Sequence, residues 1–367
     1  MNTIAVLGAG HGGCAAAADL TLRGFEVRLT TRRRESLAPL MERGGIELEG
    51  EAGNGFARIA KITADLREAV HGAELLLLTV PTTAHGYYAQ ALASLLRPEQ
   101  IVMLNPGHTC GGLHFAAEVR RQGVKWPVRL CEAFTLTYGC RLAGPATVKV
   151  LSVATNLLFS AFPGRNRDDL LSTCRQLYPN LVPADNVLHS AFLNINAIEH
   201  PPQALLNVGW LEHTQGDYLF YYEGTTPSVG RVIDALDAER VVVANALGIR
   251  TVEFFEIFWR AGYTTESAAK TRSAYQCLQE SAPNRWVKGP KNLDHRYLHE
   301  DVGYGLVPMA EFGRMAGVAT PVMDALIQLA STVNGIEYRR EGLTLTRMGL
   351  EGVALSELDW FLFEGPK

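Results

Sequence analysis

The feature that most constrains this chain lies in its first thirty residues. A short apolar, β-branched run, Thr3–Leu7, meets Gly8-Ala9-Gly10-His11-Gly12-Gly13; an alanine-rich helical stretch then runs to near Gly24, and a second strand pattern covers Glu26–Thr31. Glycine-rich turns are common, but one placed between a strand and a helix, with a second strand following, is a dinucleotide-binding unit. Gly8 permits the tight turn, Gly10 lets the backbone approach a pyrophosphate, and Gly13 allows close packing of helix on strand. The helix N-terminus presents its N–H groups and a partial positive charge to the phosphates. Gly8, Gly10, His11, Gly12 and Gly13 are therefore candidate cofactor contacts.

The end of the second strand selects between dinucleotides. An Asp or Glu there would accept hydrogen bonds from the ribose 2′-OH of NAD. Here the strand ends Thr30-Thr31-Arg32-Arg33-Arg34, with no acid before Glu35. Hydroxyl and guanidinium groups bind a 2′-phosphate that a carboxylate would repel. Thr31, Arg32 and Arg33 thus point to NADP, with NAD as the alternative. Val80-Pro81 and Asn105-Pro106-Gly107 close two further strand patterns and should lie at the carboxyl edge of the sheet. Val80, Pro81, Asn105 and Gly107 are cofactor candidates on that ground, with His108 near the nicotinamide.

The rest of the chain extends this plan. Gly45–Ile59 reads as an inserted hairpin. Ala73–Val80 and Ile101–Leu104 are buried strands, Val128–Cys131 is another, and Val148–Ser152 and Leu157–Ala161 should complete the sheet. Helices fit about 83–96, 113–122 and 168–178. The alternation predicts an α/β domain, a Rossmann-type doubly wound sheet over 1–185. From about Val187 helical periodicity takes over, with segments near 251–261, 265–281, 305–316 and 320–334 and a clear start at Thr226-Pro227. Residues 186–367 therefore read as an all-helical substrate domain, with the active site expected between the two.

Composition removes several function classes. A net charge of −4 gives no basic field for nucleic acid. Six cysteines, at 14, 110, 131, 140, 174 and 277, form no CxxC pair, which argues against a structural metal site and for free thiols in a reducing compartment. The apolar N-terminal run lacks a basic start and is broken by His11 and Asp19, so it is not read as a signal peptide. No stretch reaches the roughly 18 apolar residues of a membrane span. A cytoplasmic enzyme is expected, without metal, and as a homodimer by the usual prevalence of two-fold assemblies.

Two stretches of the helical half gather reactive side chains. His200 sits in Asn194-Ile195-Asn196-Ala197-Ile198-Glu199-His200-Pro201-Pro202, where the prolines should end or kink a helix at the imidazole. Asn292–Asp301 collects acids, imidazoles and Arg296 ahead of an apolar run. A working imidazole needs a carboxylate to fix its tautomer, but spacing does not say which Asp meets which His.

The segments GAGHGG, LNPG, NINAIEHPPQALLN, YYEGTTPSVG, LDAER, RYLHEDVGYGLVP and GVATP span nearly the whole chain. In that order they resemble the NAD(P)-dependent octopine/nopaline dehydrogenase family. The resemblance implies reductive joining of an amino acid to a 2-oxo acid. It makes His200 and Asp301 the catalytic pair and Arg296 the holder of a substrate carboxylate. Tyr221 and Tyr222 are taken as lining the amino-acid pocket, Tyr222 as the substrate contact, with a core role as the alternative. One departure is Thr31, where a close member of that family carries an acid, which agrees with NADP. Two other readings stay open: a reductase of another small carbonyl compound, and a non-catalytic NADP(H)-binding sensor.

Overall fold

In a computed structural model, which describes residues 1–366, the chain divides into two compact units. One comprises Met1–Ser190 with Ser356–Lys367, the other Ala191–Leu355.

The first unit is built on an eight-stranded sheet. Its strands are β1 (Thr3–Leu7), β2 (Glu26–Thr30), β5 (Lys61–Thr63), β6 (Leu75–Leu78), β7 (Ile101–Leu104), β8 (Arg129–Ala133), β11 (Leu157–Phe162) and β12 (Leu181–Pro183). They lie in the order β12-β11-β8-β7-β6-β1-β2-β5. Neighbours are parallel except β11, which runs antiparallel to β8. The four leucines of β6 are wholly buried, as a central parallel strand covered on both faces requires. Each contributes about 1.5–3 kcal/mol on burial.

Val148–Ser152 does not join this sheet, contrary to the sequence expectation. It lies in β10 (Thr147–Val153), which pairs with β3 (Gly45–Gly50) and β9 (Tyr138–Gly144). With β4 (Gly55–Arg58) these make a separate sheet, β4-β3-β10-β9. The reason is visible in burial: Val148 and Val150 are buried while Lys149 and Leu151 are exposed, so β10 has one core face only.

This small sheet packs on the helix α1 (His11–Leu22), whose other side rests on the main sheet. Being covered on both sides explains its composition, since Cys14, Ala15, Ala16, Ala17 and Ala18 are all buried. Its one buried acid, Asp19, accepts a hydrogen bond from the Tyr138 phenol at 2.7 Å.

The domain boundary also differs from the expected 185/186. The first unit runs on to Ser190, and the segment from Ser356 returns to it. The helix Leu358–Glu364 carries Phe361, whose ring meets Phe162 at 5.6 Å. An amphipathic helix does not announce which core it will cover, so sequence assigned this one to the wrong unit.

The second unit is helical apart from one isolated bridge, Leu219 with Lys288. Thr226 caps the helix Pro227–Ala246 through its side chain. Arg240 on that helix is fully buried; it donates to Asp237 at 2.8 Å and to the Val252 carbonyl at 2.6 Å. The LDAER segment is thus a structural brace. The expected helix over 265–281 breaks into Glu266–Lys270 and Ala274–Gln279, because Arg272 turns left-handed at φ 55° and Ser273 caps the second piece.

Among the described residues no helix is long and apolar enough to cross a membrane. All six cysteines are free and buried.

Candidate active site

The glycine turn of the first unit has the shape a dinucleotide needs. Gly8 has φ +119°, and a Cβ on it would lie 2.8 Å from the Thr79 carbonyl. A Cβ on Gly13 would sit 1.7 Å from the Gly8 carbonyl oxygen, so helix and strand touch backbone to backbone. Gly10 heads α1 without any side-chain cap, and a Cβ there would meet nothing within 4 Å. Open space therefore lies before the unpaired N–H groups of the first turn, which is what a diphosphate needs. The residues fit the cofactor.

Most of the other candidates have contacts of their own within the first unit. His11 does not offer Nδ1 to a ligand, because that atom accepts the Leu142 N–H at 2.9 Å. Burial and then the charge of Arg141 hold the His11 pKa below the usual histidine value. Asn105 is fully buried and spends its amide on Thr137: Nδ2 donates to the hydroxyl at 2.7 Å, and Oδ1 accepts the backbone N–H at 3.0 Å. Gly107 is small because a Cβ would lie 2.3 Å from Glu132 Oε2. Glu132, unnoticed in the sequence, is buried; burial pushes its pKa up to about 7 while it accepts the Gly112 N–H at 2.8 Å. Val80 packs its side chain against Gly8, and Pro81 is exposed.

At the end of β2, Arg32 and Arg33 are exposed and no acid precedes Glu35. The Arg32 guanidinium stacks on the Tyr87 ring, 5.4 Å from its centroid. The Thr31 hydroxyl is engaged by the buried Tyr88 phenol. Two guanidinium groups at this turn suit a 2′-phosphate.

The second unit holds the reactive cluster. His200 lies on the helix Asn196–Leu205, which continues through Pro201 and Pro202 instead of ending there. Proline φ is already helical, and the fully buried packing of residues 197–205 offsets the backbone hydrogen bonds that the two rings remove. Asp301 precedes a π turn, Val302–Leu306, closed by the Leu306 N–H on the Asp301 carbonyl at 2.9 Å. Gly305 lets that turn press on the His200 helix, since a Cβ there would come within 2.6 Å of the Ala197 Cβ.

The result is a short hydrogen bond, His200 Nδ1 to Asp301 Oδ2, at 2.7 Å between residues 3% and 2% exposed. A carboxylate can only accept, so Nδ1 carries the proton and Nε2 is left with a lone pair. Burial, against the pull of Asp301, lowers the His200 pKa, and the resting imidazole is neutral. Nε2 in turn accepts the Tyr221 hydroxyl at 2.8 Å. The Tyr297 ring lies over the imidazole with centroids 4.0 Å apart.

Two neighbours, Glu199 and Glu300, were not anticipated. Glu199 brings Oε1 to 3.6 Å from Nε2, but burial, then repulsion from Asp301, raises its pKa well above the carboxylate range. With the imidazole neutral, the contact is no ion pair. Glu300 takes the Arg296 Nε at 3.3 Å, and the Arg296 side chain is 48% exposed. Tyr221, not Tyr222, meets the histidine. Tyr222 instead lies under Arg285, 4.7 Å from its guanidinium carbon, and its carbonyl accepts from Gln279 at 2.8 Å. Residues 220–223 form turns, so no periodicity in the sequence told the two tyrosines apart.

The comparisons with known proteins agree with both halves. Residues 183–334 match the model described as NAD/NADP octopine/nopaline dehydrogenase, alpha-helical domain. Residues 3–125 match the NAD-dependent glycerol-3-phosphate dehydrogenase N-terminus. The chain is 34% identical over 352 residues to an opine dehydrogenase of Arthrobacter sp. (strain 1C), covering 96% of each. It shares its fold with octopine dehydrogenase solved with NADH and L-arginine (TM-score 0.78, 21% identity, 100% and 99% covered). Yersinopine dehydrogenase with NADP+ bound gives a TM-score of 0.75 at 17% identity, covering 100% and 98%. The chain belongs to the NAD/NADP octopine/nopaline dehydrogenase family and is an NAD(P)-dependent oxidoreductase acting on CH–NH bonds.

Proposed function

We propose that this enzyme joins the amino group of an L-amino acid to a 2-oxo acid such as pyruvate, preferring NADPH. The observation that carries the reading is the buried 2.7 Å hydrogen bond between His200 and Asp301. Asp301 fixes the tautomer and stabilises the imidazolium that forms when His200 takes a proton. His200 then removes a proton from the substrate ammonium, which frees the nitrogen lone pair to attack the keto carbon. It returns that proton to the carbinolamine hydroxyl, which leaves as water. Arg296, half exposed beside this pair, holds a substrate carboxylate through its forked N–H groups. NADPH, bound at the glycine turn, supplies the hydride that reduces the imine.

The preference for NADPH is supported by Arg32 and Arg33 and by the lack of an acid before Glu35. The reading extends to a cytoplasmic enzyme, supported by six unbridged thiols, and to a homodimer on general grounds of symmetry.

The test is NADPH oxidation with 2-oxo acids and amino acids supplied singly and together. Oxidation only when both are present is expected. Oxidation without the amine would make the protein a simple carbonyl reductase, and none under any combination would make it a sensor.

A further inference from the structure

Both nitrogens of His200 are occupied before any substrate arrives. Nδ1 is held by Asp301 at 2.7 Å, and Nε2 accepts the Tyr221 hydroxyl at 2.8 Å. The imidazole is 3% exposed, so nothing reaches its basic nitrogen without meeting what covers it. Of the groups around Nε2, Glu199 Oε1 stands at 3.6 Å, beyond a hydrogen bond. Tyr297 presents a ring face. Only the Tyr221 oxygen is bonded to Nε2, and it also faces the Tyr297 hydroxyl at 3.5 Å.

From this geometry we infer that Tyr221 is itself a catalytic residue, a phenol through which protons pass between the substrate nitrogen or oxygen and His200. The inference rests on the reading of His200 given above.

In the first transfer the substrate ammonium gives a proton to the Tyr221 oxygen as the phenolic proton moves to His200 Nε2. The N–H bond breaks toward nitrogen, which keeps the pair and attacks the keto carbon; one of the adduct's two remaining N–H protons then passes to its alkoxide, giving the neutral carbinolamine. In the second, Tyr221 gives its proton to the carbinolamine hydroxyl as the imidazolium proton replaces it. The C–O bond breaks toward oxygen, water departs, and the nitrogen pair closes the C=N bond. One proton is borrowed and one returned, so phenol and imidazole end as they began. The phenol never has to exist as a free phenolate, which suits a group whose pKa burial, and then Glu199, raises well above the ordinary tyrosine value.

The test compares wild type, Tyr221→Phe, His200→Ala and the double variant, each with NADPH and both substrates. Phe keeps the ring, and thermal denaturation with NADPH titration verifies that each variant folds and binds cofactor. Tyr221→Phe should lower kcat by about 10²-fold, the scale of general acid–base assistance, with the NADPH Kd within twofold of wild type. The double variant should be no slower than His200→Ala, because the two would act in one chain. In H2O/D2O mixtures the wild-type rate should curve with deuterium fraction, as two protons in flight require, and Tyr221→Phe should make it linear.

A Tyr221→Phe enzyme as fast as wild type beside a slow His200→Ala overturns the relay alone. A slowed Tyr221→Phe that keeps the curved dependence also overturns it, since the loss would then be structural. A fully active His200→Ala overturns both the relay and the reading beneath it.

Discussion

The two reactive regions of this enzyme are made of different material. The glycine turn of the first unit works by absence: its chemistry comes from backbone N–H groups, and its glycines keep side chains out of the way. The His200 cluster of the second unit works by crowding. Asp301, Tyr221, Tyr297 and Glu199 all press on one imidazole and set its tautomer, protonation and reach. A backbone site fails when an atom is added. A side-chain site fails when an atom is removed.

The sharpest way to break this contrast is to remove the imidazole. His200→Ala should lower kcat/KM by roughly 10²–10⁴, with NADPH affinity unchanged, because the cofactor turn is built from other residues. Asp301→Asn should weaken catalysis while the fold is kept, since an amide cannot stabilise the imidazolium. Steady-state kinetics of both singles and the double would decide it; losses that multiply independently would show that the two residues do not act as a pair.

The converse change adds one methyl group. In Gly13→Ala the new Cβ would overlap the Gly8 carbonyl oxygen, at 1.7 Å, so α1 must move off β1. Such overpacking against rigid backbone destabilises by about 3 kcal/mol, which lowers Tm by roughly 6–12 °C, and NADPH binding should weaken with it. Unchanged melting and binding would mean that the turn is softer than its contacts imply.

The smallest effect sharpens the comparison inside the cofactor site itself. Arg32→Ala with Arg33→Ala removes side chains from an otherwise backbone-made cradle. The NADPH KM should rise about tenfold, one charge-assisted contact or so, with the NADH KM nearly constant. Equal losses with both cofactors would show that these arginines do not read the 2′-phosphate.

Much of this molecule was legible in advance where one residue type can do only one thing. The order of strand, turn and helix followed from Gly8, Gly10 and Gly13, and the start of the long helix from Thr226-Pro227. Reading failed where a residue has several good options. The side chains of His11 and Asn105 carry no mark of the partners they take inside their own unit, the Leu142 N–H and Thr137. Val148–Ser152 had strand character without any mark of the sheet it would join. Pro201 and Pro202 looked like a stop or a kink, yet the helix continues past both, since their fixed φ suits it.

What the sequence by itself determined is therefore the local backbone: which segments are strand or helix, where glycine must stand, and that no acid guards the end of β2. Those follow from steric limits on a few neighbouring residues. Only the tertiary structure decided that Asp301 meets His200 across a separation of 101 residues, that Tyr221 and not Tyr222 caps the imidazole, and that burial beside Asp301 raises the Glu199 pKa. Such facts depend on which surfaces pack together, and packing is fixed by the shape of the whole core rather than by any residue's own preference.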